Sequence, residues 1–140
     1  MGRILCVDFG TKRCGIATTD PLQIIVSGLE TVPNEMLLDF LIDYCTREEV
    51  EKIVFGDPSL LDNSTSQLTQ SIHKFASKLK MELKGIDIDY HDESFTSQSA
   101  KRVILMSGKK KMQRRDKSLV DKVSAVLILQ DYLGHLEDLI

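Results

Sequence analysis

Tryptophan is absent from this chain, proline occurs three times, and cysteine three times. The thiols, Cys6, Cys14 and Cys45, are odd in number and lack the paired spacing of a zinc ligand set. They argue against a disulfide scaffold and fit a reduced, cytoplasmic protein with buried cysteines. No apolar run approaches the roughly 20 residues that span a bilayer, so no membrane association is expected. The start lacks the long apolar core of a signal peptide. A Walker-type Gly-x-x-x-x-Gly-Lys sequence is missing, and so is an aromatic platform of the ribonucleoprotein kind. The three tyrosines and five phenylalanines are scattered through core-like positions. Without repeats, linkers or low-complexity tracts, residues 1–140 read as one globular domain with enough chain for a real core.

What is present is an uneven charge. The net charge is −3, yet eight of the eighteen basic residues lie between Lys101 and Lys117, against one acid, Asp116. Such a segment draws a polyanion locally, although a solvated loop is the plainer reading of a charge run. Apolar periodicity predicts strands at about 3–8, 13–19 and 24–31, the first two joined by a tight turn. Asn34 is expected to cap a helix carrying Met36, Leu37, Phe40, Leu41 and Tyr44. A buried strand from Glu51 to Gly56 ends at Asp57-Pro58, and a polar loop, Asp62 to Ser66, leads to a helix with Leu68, Ile72, Phe75, Ala76 and Leu79. A strand from Ile86 to His91 ends in Asp92-Glu93. Helices from about Thr96 to Met106 and from Ser118 to about Leu136 complete the chain. This order predicts an α/β fold: a five-stranded mixed sheet, three antiparallel strands then parallel additions, with helices on both faces.

The most informative stretch is Asp8-Phe9-Gly10-Thr11-Lys12-Arg13. A carboxylate closing an apolar strand is costly unless it is exposed, paired or holding a metal. The small glycine, hydroxyl and two cations behind it suit a turn that approaches a phosphate. Asp8 could equally accept the turn amides of Gly10 and Thr11. Thr11 could donate to a phosphate or close the turn. Lys12 and Arg13 would be ordinary hairpin-tip charges anywhere else; beside Asp8, Arg13 offers a planar fork. Asp57 and the pair Asp92-Glu93 also end strands, where ligands gather in such sheets. Asp121 falls in the expected first turn of the last helix. Acids from distant parts of the chain thus have a route to one sheet edge, as an oxygen-ligated Mg²⁺ site requires. Only one of Asp92 and Glu93 can face that edge, because neighbours on a strand alternate. Asp92 could cap the following helix or pair with a cation. Ser118-x-x-Asp121 also resembles a capping box. His73, His91 and His135 have no supporting constellation.

These residues resemble those of the YqgF/RuvX group, bacterial proteins related to Holliday-junction resolvases and described as nucleases for pre-16S rRNA processing. The resemblance covers essentially the whole chain. Asp8-Phe9-Gly10-Thr11-Lys12-Arg13-Cys14-Gly15-Ile16-Ala17 is similar to the family's opening motif. Ile53-Val54-Phe55-Gly56-Asp57-Pro58 is similar to its second strand end, a weaker signal. The segment Asp92-Glu93-Ser94-Phe95-Thr96 and the closing helix from Val120 to Gln130 supply the rest. Three positions depart from the pattern. Ser94 stands where the family usually has Arg, removing a cation. Asp57 replaces an apolar residue, adding a carboxylate near the expected site, and Ser124 replaces an alanine.

The resemblance implies a ribonuclease H-like fold and favours Glu93 over Asp92. It implies that Asp8, Glu93 and Asp121 bind one or two Mg²⁺ (Mn²⁺ as substitute) and catalyse metal-assisted hydrolysis of a phosphodiester by water. Thr11, Lys12 and Arg13, with Lys109, Lys110, Lys111, Arg114 and Arg115 of the basic segment, are the expected nucleic-acid contacts. The partner would be structured RNA or branched DNA, engaged by a monomer or homodimer. Two alternatives stand beside the nuclease: a non-catalytic nucleic-acid-binding module, and an actin-like nucleotide phosphatase, whose Asp-x-Gly-Thr turn is similar.

Overall fold

Within residues 2–58, 67–92 and 117–134, which the computed structural model describes, the chain forms a five-stranded sheet with helices on both faces. The strands are β1 (Arg3–Asp8), β2 (Arg13–Thr19), β3 (Val26–Pro33), β4 (Val50–Asp57) and β5 (Asp87–Asp92). The helices are α1 (Leu37–Arg47), α2 (Gln67–Glu82) and α3 (Lys117–Tyr132). Across the sheet the order is β3-β2-β1-β4-β5. The first three strands pair antiparallel, and β4 and β5 are added parallel to β1, as the sequence predicts. Glu93, Ser94, the expected helix at 96–106, the run from Lys109 to Arg115, the polar loop at 62–66 and His135 lie outside the described residues.

Strand parity divides the interior in two. Leu5, Val7, Ile53 and Phe55 point to one face, where Leu37, Leu41 and Tyr44 of α1 and Ile72, Ala76 and Leu79 of α2 cover them. Ile4, Cys6, Ala17 and Val54 point to the other, against Ala125, Ile128 and Leu129 of α3. Full burial of an Ile or Leu stabilises by roughly 2 kcal/mol. Ile128 and Leu129, both wholly buried, thus hold α3 to the sheet by about 4 kcal/mol before ordering costs are counted.

Three expectations shift. The third strand begins two residues late because Asp20 organises the preceding turn. Its carboxylate accepts the amides of Leu22 at 3.2 Å and of Ile24 and Ile25 at 2.7 Å each, and Gln23 adopts φ 60°. The strand then runs through to Pro33, which a sheet edge tolerates because a ladder donor is not required there. Asn34 does not cap the helix; its side-chain amide turns back to the β1–β2 turn, and a 3₁₀ turn, Asn34–Met36, precedes α1. Met36, expected in the core, is 55% exposed.

Candidate active site

Asp8 is the last residue of β1 and shares the parity of Ile4 and Cys6, so it belongs to the α3 face. Its register partner on β2 is Gly15. A Cβ at Gly15 would run into the backbone carbonyl of Asp121. The missing side chain therefore lets α3 rest directly on β2 and brings the Asp121 peptide over the residue that pairs with Asp8. Arg13, two residues before Gly15, lies on the same face, and its Nε donates to Asp121 Oδ2 at 2.5 Å. Both side chains of this pair are partly open to solvent.

The turn between β1 and β2 is braced from outside the hairpin. Asn34 Nδ2 donates to the Gly10 carbonyl at 2.6 Å, and the Asn34 amide donates to the Lys12 carbonyl at 2.9 Å. The Cys14 thiol donates to the same Gly10 oxygen at 3.6 Å. Burial pushes that thiol up to about 11, and the negative charges of Asp8 and then Asp121 add to the effect. The sulfur is thus a neutral packing group, and it feels both carboxylates. Thr11 and Lys12 are exposed at the tip, free to meet a large ligand.

The structure separates acids that the sequence seemed to gather. Asp57, expected near this site, is 1% exposed and faces α2. Its carboxylate accepts from Thr69 Oγ1 at 3.1 Å and is hydrogen-bonded to His73 Nε2 at 3.0 Å. The His73 ring stacks on Tyr90 with centroids 4.3 Å apart. Asp92 is the register partner of Asp57 and shares its face. The reason is parity: Asp57 follows Phe55 by two on β4, and Asp92 follows Tyr90 by two on β5, and both aromatics belong to the α2 side. Asp121 also differs from expectation. Because α3 already runs from Lys117, Asp121 begins its second turn, and Arg13 engages its carboxylate, so the capping-box reading falls.

Sequence reasoning overlooked the histidine partners. Besides the Asp57–His73 pair, His91 Nε2 is hydrogen-bonded to Asp131 at 2.7 Å. Alongside it, the Tyr132 hydroxyl donates to Asp89 at 2.6 Å and accepts from Lys52 at 2.9 Å. That contact holds the Asp89 carboxyl below its usual range. Together these bonds fasten the C-terminal end of α3 to β4 and β5. The parity of Asp89 and His91, opposite to that of Ile88 and Tyr90, was the available signal.

Among the described residues no three His, Cys, Asp or Glu side chains come together as a metal-holding group. Asp8 and Asp121 place two carboxylates on the α3 face of the sheet. Carboxylate oxygens suit Mg²⁺ or Mn²⁺, so the donor chemistry fits such an ion. No helix among the described residues is long and apolar enough to cross a membrane.

Comparison with known proteins fits this geometry. The family model RuvX, described as Holliday junction resolvase, matches residues 2–135. A Porphyromonas gingivalis protein named "Putative pre-16S rRNA nuclease" is 55% identical over 135 residues, covering 96% of this chain and 98% of that protein. A Flavobacterium psychrophilum protein of the same name is 48% identical over 133 residues, covering 95% of this chain and 97% of that protein. The solved structure of T. thermophilus RuvC in complex with a Holliday junction substrate superposes with a TM-score of 0.56 at 13% identity, over 96% of this chain and 97% of that one. At that identity the likeness concerns the fold, which is ribonuclease H-like. With a family match spanning residues 2–135 and relatives 55% and 48% identical over nearly their whole length, the chain belongs to the RuvX family.

Proposed function

We propose that this protein is a metal-dependent nuclease that hydrolyses phosphodiester bonds in structured RNA, acting in the cytoplasm on the 5′ end of pre-16S rRNA. The observation that carries the reading is the glycine-mediated approach of α3 to β2, which brings Asp121 over the register partner of Asp8. The names of the P. gingivalis and F. psychrophilum relatives support the substrate class.

In this reading Asp8, Asp121 and Glu93 hold one or two Mg²⁺. Glu93 enters this set through the family resemblance, while Asp92 belongs to the α2 face. A cation held by these carboxylates supplies an acidified water and neutralises charge on the phosphoryl oxygens. The remaining work belongs to the protein. Lys12 and Thr11 at the exposed tip, with Arg13 behind them, bind phosphate oxygens. Asn34 and the Gly10 carbonyl keep that tip from collapsing onto the carboxylates. Lys109, Lys110, Lys111, Arg114 and Arg115 extend the contact along the polyanion, so binding weakens steeply with salt.

The test is cleavage and binding of one structured RNA by the wild type and by Asp8→Asn. The variant should bind the RNA, keep its thermal transition, and lose Mg²⁺-dependent product. Salt-sensitive binding with no product from the wild type would replace the nuclease by a non-catalytic binding module.

A further inference from the structure

We propose that Arg13 is a charge latch on Asp121: its guanidinium holds the carboxylate until a substrate phosphate draws it away and frees that oxygen for the divalent cation. The inference rests on the metal reading above and goes beyond it in coupling the two ligands. Arg13 Nε donates to Asp121 Oδ2 at 2.5 Å, a charge-assisted contact. An oxygen engaged by a guanidinium is a poor ligand for a dication, and a fixed positive charge beside the site repels one. The latch is built to open. The Arg13 side chain is 35% exposed, and the turn that precedes it is pinned at Gly10 and Lys12 by Asn34. The opening asks for a side-chain rotation and no change in the braced turn, and Lys12 next to it is exposed to receive the same phosphate backbone.

Arg13 engages Asp121 on the face to which Asp8 also belongs, so its removal changes the site in a definite direction. Metal and nucleic acid would each raise the other's affinity, since linkage is reciprocal. Without substrate, the latch would keep a charged pair in place of an idle metal centre.

The experiment is Mn²⁺ titration of the full chain, followed by calorimetry and by the electron paramagnetic resonance of free Mn²⁺. It is run for wild type, Arg13→Gln, Arg13→Lys and Asp8→Asn, with and without an RNA duplex carrying uncleavable phosphorothioate linkages. Arg13→Gln should bind Mn²⁺ about tenfold more tightly than wild type when RNA is absent, a coupling of ordinary size. Its affinity for RNA should fall several-fold. RNA should tighten Mn²⁺ binding to wild type and leave Arg13→Gln unchanged, with Arg13→Lys between them. Equal or weaker Mn²⁺ binding by a folded Arg13→Gln would overturn the latch and make Arg13 a support that orients Asp121. If wild type shows no Mn²⁺ binding that Asp8→Asn removes, the metal reading itself fails, and the latch with it.

Discussion

Gly15 is where the architecture can be tested most directly. Gly15→Ala places a methyl group against the Asp121 backbone, where ordinary contact needs 3.4–4 Å. The obstacle is main chain, so it cannot rotate aside, and α3 must retreat by about 1.5 Å. A gap of that size forfeits at least half of the dispersion contact between the cluster Ala125, Ile128, Leu129 and the facing Ile4, Cys6, Ala17 and Val54. Overpacking of this kind costs about 3 kcal/mol. With an unfolding entropy near 0.3 kcal/mol/K for 140 residues, the transition should fall by about 10 °C. Gly28→Ala is the control. Its Cβ would meet Lys122 Cγ at 2.8 Å, a side-chain atom near the α3 backbone that can yield by a rotamer change, unlike the main chain facing Gly15. That change should cost about 1 kcal/mol, less than Gly15→Ala. Urea unfolding of both variants, together with Mn²⁺ binding by Gly15→Ala, provides the assay. Gly15→Ala unfolding at the wild-type midpoint, with unchanged metal affinity, would refute the claim that this glycine sets the approach of Asp121 to Asp8.

Other consequences concern groups away from the site. His73→Ala removes a hydrogen bond from the buried Asp57 carboxylate and a ring stacked on Tyr90. Because His73 is itself half exposed, the cost should be about 1 kcal/mol, below the usual range for a bond to a charged group. Unaltered urea unfolding would show that Asp57 is stable without it. Asp20 tests pH dependence: the Ile25 amide first, then those of Ile24 and Leu22, hold its carboxyl below 3.8. A depressed folded pKa contributes stability above the unfolded value, and the contribution is lost as pH falls through the folded one. Asp20→Asn should therefore be less stable than wild type at pH 7, and the gap should narrow as pH falls below the ordinary carboxylate value and through the folded one. A gap that stays the same from about pH 7 through the whole acid range would point to a cause other than the carboxylate charge.

Periodicity alone determined the single mixed sheet and the pairing type of its strands, and turn chemistry drew attention to Asp8 and Arg13, whereas Asp121 stood beside Asp57 and Asp92 until the family resemblance was added. Those features are local: a strand of alternating apolar residues and a Gly-Thr-Lys-Arg turn announce themselves within ten residues. The boundary at β3 was less legible, because Ile24 and Ile25 look like strand residues and only the Asp20 carboxylate, several residues earlier, keeps them in the turn. Tertiary structure decided how the acids divide. Asp8 and Asp57 both end strands, yet their parities differ relative to the helices that cover each face, sending one to α3 and the other to Thr69 and His73 of α2. The Arg13–Asp121 pair, 108 residues apart in the chain, likewise exists only because α3 packs on a strand that lacks a side chain at Gly15. Which charges become neighbours across such a distance depends on the close packing of backbones, and no local pattern encodes that.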